Sequence, residues 1–294
     1  MVNKNSFLKF ILIVENLLII SLLLYIIIKN LKDFKEDFIF YFSTLDLFLA
    51  KNFIYLIFSI LATLLVVMSH IILWKKIFQF NDIQIFYWEA LSIFSFIHFK
   101  RLFSPLGPIS PILNINQDLK KSTIIYSLYV YFITLGSLCF FSFFVLLIYP
   151  WLFLGLVLII PASFLFFVKK NKLFNIHLSK TDYFFTIFIS FLNEFFSFLA
   201  YFFSLKLFNS DLNFLNSILI YFAWVIISSF FPFLYGSGTS ELGSLILVYN
   251  LGYDAGLFSL SIIFYRLIIT YLPLLGLIFY KKFYPKNLKD EKRT

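Results

Sequence analysis

Cysteine is nearly missing from this chain: Cys139 is the only one in 294 residues. A single thiol rules out an intramolecular disulfide framework and a cysteine-based zinc site. Inside an apolar run it reads as a small packing residue. Charge is scarce as well, at 13% of residues, where soluble domains carry about 25%. The three histidines, His70, His98 and His177, stand in different segments. No HExxH-type spacing or carboxylate cluster accompanies them, so no metal site is expected. There is no P-loop and no GxSxG elbow, which excludes a built-in ATPase and a serine-hydrolase site. No cofactor is expected. The longest polar stretch is the tail after Tyr284, about ten residues and too short to bury a core.

What the chain has is apolar mass. Hydrophobic residues make up 61% of it, with 45 Phe and 18 Tyr. Several runs exceed the roughly 18 apolar residues that mark a spanning helix. They do not alternate as barrel strands do. The expected fold is therefore an all-α integral membrane protein, a single polytopic domain over 1–294. Spanning helices are expected at about 7–28, 53–74, 122–148, 151–168, 183–207, 213–232 and 256–280. Two stretches, about 84–118 and 233–251, are apolar but broken, which gives seven to eight helices plus two broken or re-entrant elements. The first run is too long for a signal peptide and lacks a small-residue cleavage site, so it reads as an uncleaved helix.

The net charge of +9 sits in clusters between apolar runs. That is the pattern of cytoplasmic membrane flanks, not of a nucleic-acid surface. Lys4, Lys9, Lys75, Lys76, Lys120, Lys121, Lys169, Lys170, Lys172, Lys180 and the basic tail fall on one side if both termini are cytoplasmic. The balanced loop 29–52 then lies outside. A cytoplasmic carboxy terminus requires 233–251 to bring the chain across. Richness in Phe, Ile, Leu, Lys and Asn hints at an AT-rich prokaryotic genome, so the expected location is a prokaryotic plasma (inner) membrane.

The two broken stretches draw attention. One carries Lys100 and Arg101, then Pro105, Gly107, Pro108 and Pro111. The other runs from Pro232 through Gly236 and Gly238 to Glu241. Proline cannot continue a helix, and irregular backbone survives at membrane depth only against protein or a water-filled cavity. Paired interrupted segments in two halves of a chain point to a transporter binding site. The reading is an internal repeat with two half-helix elements. Two loops lying flat on the membrane are the alternative. A half-helix starting near Glu241 would favour an anion at its amino terminus.

Ionisable residues within apolar runs add candidates, because each costs about 2.5–3.5 kcal/mol at mid-membrane on insertion scales. They are Glu241, Arg266, Glu194 beside Asn193, and Glu15. Arg266 has no carboxylate in its own helix, so Glu241 or Glu194 is its natural partner. The pair either holds a lipid phosphate or locks two helices structurally. Lys100 and Arg101 either attract a head group or snorkel to the interface.

The run Pro232-Phe-Leu-Tyr-Gly236-Ser-Gly238-Thr-Ser-Glu241, then Gly252, Tyr265-Arg266, Leu272-Pro273 and Gly276, resembles the carboxy-terminal signature of the lysylphosphatidylglycerol synthase transmembrane-region family. Pro105, Gly107 and Pro108 look like that family's earlier Pro/Gly element. Where the family has adjacent glycines and a basic residue beside the Glu, this chain has Tyr235, Ser237 and Ser240. The resemblance implies a flippase-like membrane domain without the soluble lysyltransferase domain. It would move a phospholipid or a polyprenyl-phosphate-type lipid between leaflets, through a site containing Glu241, Arg266, Gly236, Gly238, Glu194, Pro232, Pro105, Gly107 and Arg101. The expected partners are that lipid and the membrane, with oligomerisation left open. Two other readings remain. One is an intramembrane transferase using Asp33, Glu36, Asp37 or Asp46. The other is a subunit that transports nothing itself.

Overall fold

A computed structural model describes residues 50–101, 112, 118–148, 179–208, 212–230 and 239–277. The expected helices at 7–28 and 151–168 lie outside the described residues. Most of those described are helical, with no strand among them. We number the helices α1 (Phe53–Gln79), α2 (Tyr87–Arg101), α3 (Leu119–Ile148), α4 (Lys180–Leu207), α5 (Phe214–Phe230), α6 (Thr239–Asn250) and α7 (Ala255–Arg266). Helix α7 continues as a π-helical turn, Leu267–Tyr271, and a 3-10 turn, Leu272–Gly276. Among the described residues four helical segments are long and apolar enough to cross a membrane: Phe53–Gln79, Leu119–Phe144, Lys180–Leu207 and Gly256–Gly276. Within the described residues helix α5 covers 17 residues and α6 covers 12.

The chain forms two compact units, Met1–Leu56 with Phe202–Phe264, and Ile57–Tyr201 with Tyr265–Thr294. In the second unit α1 buries Ser59, Ala62, Val66, Ser69, Leu73 and Ile77 at three- and four-residue steps, one stripe of a helix. Its apolar run ends at Trp74, yet the helix continues through Lys75 and Lys76. Those lysines are good helix formers, and Trp74, Ile77 and Phe78 go on filling the core. The helix stops at Asp82, whose φ is 58°. The Ile83 N–H reaches Phe78 O and the Asp82 N–H reaches Gln79 O, the paired bonds of a Schellman cap.

Helix α2 returns beside α1, with Phe94 stacked on His70 at 4.6 Å. Its buried Ala90, Ile93, Phe94 and Ile97 join Tyr129 and Phe132 of α3 and Tyr183 of α4 in one core. Helices α3 and α4 run parallel. Contacts advance together along both, from Phe132 on Tyr183 through Ser137 on Glu194 to Phe144 on Phe198. Helix α1 runs against α4, tied by Lys76 to Asp182 at one end and by Ser59 Oγ to Ala200 O at the other.

In the first unit α5 and α6 form an antiparallel hairpin. Asn216 Nδ2 donates to the Tyr253 hydroxyl at 2.6 Å. Toward the other end, Gly243 packs so closely on Ile227 that a Cβ would collide with its side chain. A second Schellman cap closes α6 at Gly252, where φ is +78°. Leu207 and Phe208 pack on Leu260, with Tyr55, Leu56 and Phe264 around them. Short polar side chains start the helices: Asp118 for α3, Ser179 for α4, Asn213 for α5 and Asp254 for α7. Each accepts amide protons that the first turn cannot pair internally.

Candidate functional site

Glu194 stands in the middle of α4 and is only 7% exposed. Ser137 of α3 donates to its Oε2 at 2.9 Å and shares the same hydroxyl with Ile133 O at 3.1 Å. That contact exists because α3 and α4 approach closely. At Gly136 a Cβ would collide with the backbone and side chain of Ser190, so the residue must be glycine. Small residues let spanning helices come this near. Along α4 the hydroxyls of Thr186, Ser190 and Ser197 turn back to carbonyls four residues earlier. Asn193 is buried, and its Oδ1 has no hydrogen-bond partner. On the same helices Phe140 contacts Phe191, Phe195 and Phe198, which keeps this polar patch walled by rings.

Arg266 is the last residue of α7 before the π turn and is half-buried. Tyr265 before it is buried edge-on against Tyr201 at 5.5 Å. The π turn has a local cause. Pro273 lacks an N–H and its ring would clash with the carbonyl four residues back. The chain therefore passes from α through π to 3-10 geometry across Leu267–Gly276. Such bulges in helices frequently mark functional positions. The 3-10 turn packs on α2, where a Cβ at Gly276 would strike the Ser95 side chain. Arg266 and Glu194 belong to the same compact unit, and Glu241 belongs to the other.

Glu241 lies in the first turn of α6, half-buried. Asn216 meets Tyr253 at the far end of the hairpin, so the first turn of this 12-residue helix stands at the opposite end. At 1.5 Å per residue the two ends of the helix lie about 15 Å apart. Arg101 is the last residue of α2, and its side chain is not among those described. Pro105 and Gly107 fall in 102–111, Pro232, Gly236 and Gly238 in 231–238, and Glu15 in 1–49, all outside the described residues.

Sequence reading missed the cluster around His70. Its Nδ1 lies 2.9 Å from the Tyr129 hydroxyl. Trp74 stacks on Tyr129 at 4.2 Å, and Phe94 lies between His70 and His98. The two histidines, distant in sequence, thus flank one ring. The usable signal was the i, i+4 spacing of His70 and Trp74 within a spanning helix. Among the described residues no three His, Cys, Asp or Glu side chains group to hold a metal ion. No known protein family, curated protein or solved structure matches the chain.

Proposed function

We propose that this chain is a flippase-like membrane protein that moves a lipid, or a lipid-linked anionic head group, between leaflets. The observation that carries the reading is the placement of ionisable side chains within spanning helices. Glu194 is buried in the middle of α4, and Arg266 sits where the last described span leaves α geometry. A charge at that depth is costly and marks a site or a paired interior. The α5–α6 hairpin supports it further: a short helix headed by Glu241 is the kind of half-helix that transporters use at their binding sites. In this reading Arg266 receives the phosphate and Glu194 shapes the path while the acyl tails stay in the bilayer, and Glu241 is a further candidate within its own unit. The resemblance to the lysylphosphatidylglycerol synthase transmembrane-region family points the same way. The chain would sit in a prokaryotic inner membrane with both termini inside. The sequence carries no nucleotide-binding motif, so exchange would be driven by a gradient or by lipid consumption. The test is leaflet exchange of a fluorescent phospholipid in vesicles reconstituted with the full chain. Arg266→Ala is expected to lower the rate at least ~10-fold, equivalent to about 1.4 kcal/mol on the barrier, with an unchanged helical melting curve. An unchanged rate overturns the site.

A further inference from the structure

The corner between α1 and α2 is built as an anchor. Three consecutive aromatic residues, Phe86, Tyr87 and Trp88, are 76%, 56% and 59% exposed. The chain that presents them is fixed from beneath. Phe80, Ile83 and Ile85 are buried in the core, and Asn81 Nδ2 bonds back to Ile77 O at 2.9 Å. Glu89 Oε2 accepts the Phe86 N–H at 2.7 Å and holds the start of α2. Lys75 Nζ lies 3.6 Å from the centre of the Tyr87 ring. Exposed aromatics on so firmly held a corner need an occupant that is apolar on one side and polar on the other.

We infer that Phe86, Tyr87 and Trp88, with Lys75, form a surface that docks into the headgroup layer of the bilayer and fixes the depth at which α2 turns back. The corner closes a 27-residue apolar helix of spanning length, where the hydrocarbon must end. Trp and Tyr partition to that boundary, and lysine snorkels from it. Charge complementarity selects the lipid class. The charged residues of 75–89 are Lys75, Lys76, Asp82 and Glu89, two of each sign, and Lys76 is paired with Asp182 at 3.0 Å. The corner therefore carries no positive excess. It binds the headgroup layer through its aromatic rings and has no preference for anionic lipid. The role goes beyond the proposed site, because the depth of α2 sets where Ser95 meets Gly276.

The experiment uses the full chain in phosphatidylcholine vesicles, with Cys139→Ser and a nitroxide attached through Trp88→Cys. Reference labels are attached through Leu61→Cys, on an exposed apolar position of α1, and Lys120→Cys, exposed at the start of α3. The Trp88 label is expected to collide with oxygen more than the position-120 label, and with a water-soluble nickel complex more than the position-61 label. That combination is the signature of headgroup depth. Adding phosphatidylglycerol is expected to leave both values unchanged. Nickel collision equal to position 120 would put the corner in water and overturn the inference. Depth equal to position 61 would overturn it by placing the corner in the acyl chains. Protection from both reagents would mean that a protein partner or a second copy covers it, which also overturns it. A phosphatidylglycerol-dependent shift overturns the charge argument. If Trp88→Cys fails to fold, the label moves to Phe86→Cys, with the same expected values.

Discussion

At the residue scale, two glycines show how differently the same residue type is required. At Gly136 the φ angle is ordinary and space is the constraint, because a Cβ would enter the Ser190 backbone. At Gly252 nothing lies within 4 Å of a built Cβ, but φ is +78°. Gly136→Ala is expected to destabilise the α3–α4 contact by about 1–3 kcal/mol, as overpacking does. Gly252→Ala is expected to cost about 1–2 kcal/mol from the left-handed backbone alone. Thermal unfolding in detergent checks both. Because Gly136 sets the distance from Ser137 to Glu194, its variant should also slow leaflet exchange, whereas the Gly252 variant should not; equal exchange rates would sink that link. The ionisable residues of the candidate site were legible as sequence, since a Glu or Arg in an apolar run stands out. Their surroundings were not. Ser137 is one serine among many, and only the close approach at Gly136 makes it the donor to Glu194. His70 and His98 read as isolated because the ring between them, Phe94, belongs to a different helix from His70.

At the element scale, the last span is shaped by one proline. Pro273 forces the passage from π to 3-10 geometry just beyond Arg266. In Pro273→Ala the new N–H can bond to the Ile269 carbonyl, and the segment is expected to regain α geometry. Amide exchange across 267–276 should then slow, and leaflet exchange should fall because Arg266 loses its turn. Unchanged protection at those amides would refute the account. Helices were the most legible feature of the sequence, and their ends the least. The run read over 53–74 continues to Gln79, since helix-forming lysines and buried Trp74, Ile77 and Phe78 carry it past the apolar stretch. The stretch read as broken over 84–118 contains a regular helix, Tyr87–Arg101. Proline chemistry at 105–111 drew the eye and hid the buried Ala90, Ile93, Phe94 and Ile97 stripe before it. The half-helix read as starting near Glu241 is α6, which begins at Thr239 and runs to Asn250.

At the scale of the whole molecule, helix direction becomes a testable topology. Parallel α3 and α4, with α1 reversed, place Gln79, Lys120 and Lys180 at one end of their unit. Cysteines at these three exposed positions, on a Cys139→Ser background, should react with an impermeant maleimide from the same side of the membrane. In the proposed topology that is the cytoplasmic side. Labelling of one from the opposite side would break the arrangement. The same wiring has a consequence for biogenesis. Ribosomes deliver the amino-terminal part first, so α1 is made long before its main partner. Asn52 waits for Leu207 O, 155 residues later, Ser59 for Ala200 O, 141 residues later, and Lys76 for Asp182, 106 residues later. During that interval the Asn52 amide and the Ser59 hydroxyl lack the acceptors that α4 will bring. Nascent α1 must shelter them against lipid headgroups, water or the insertion machinery until the fourth helix emerges.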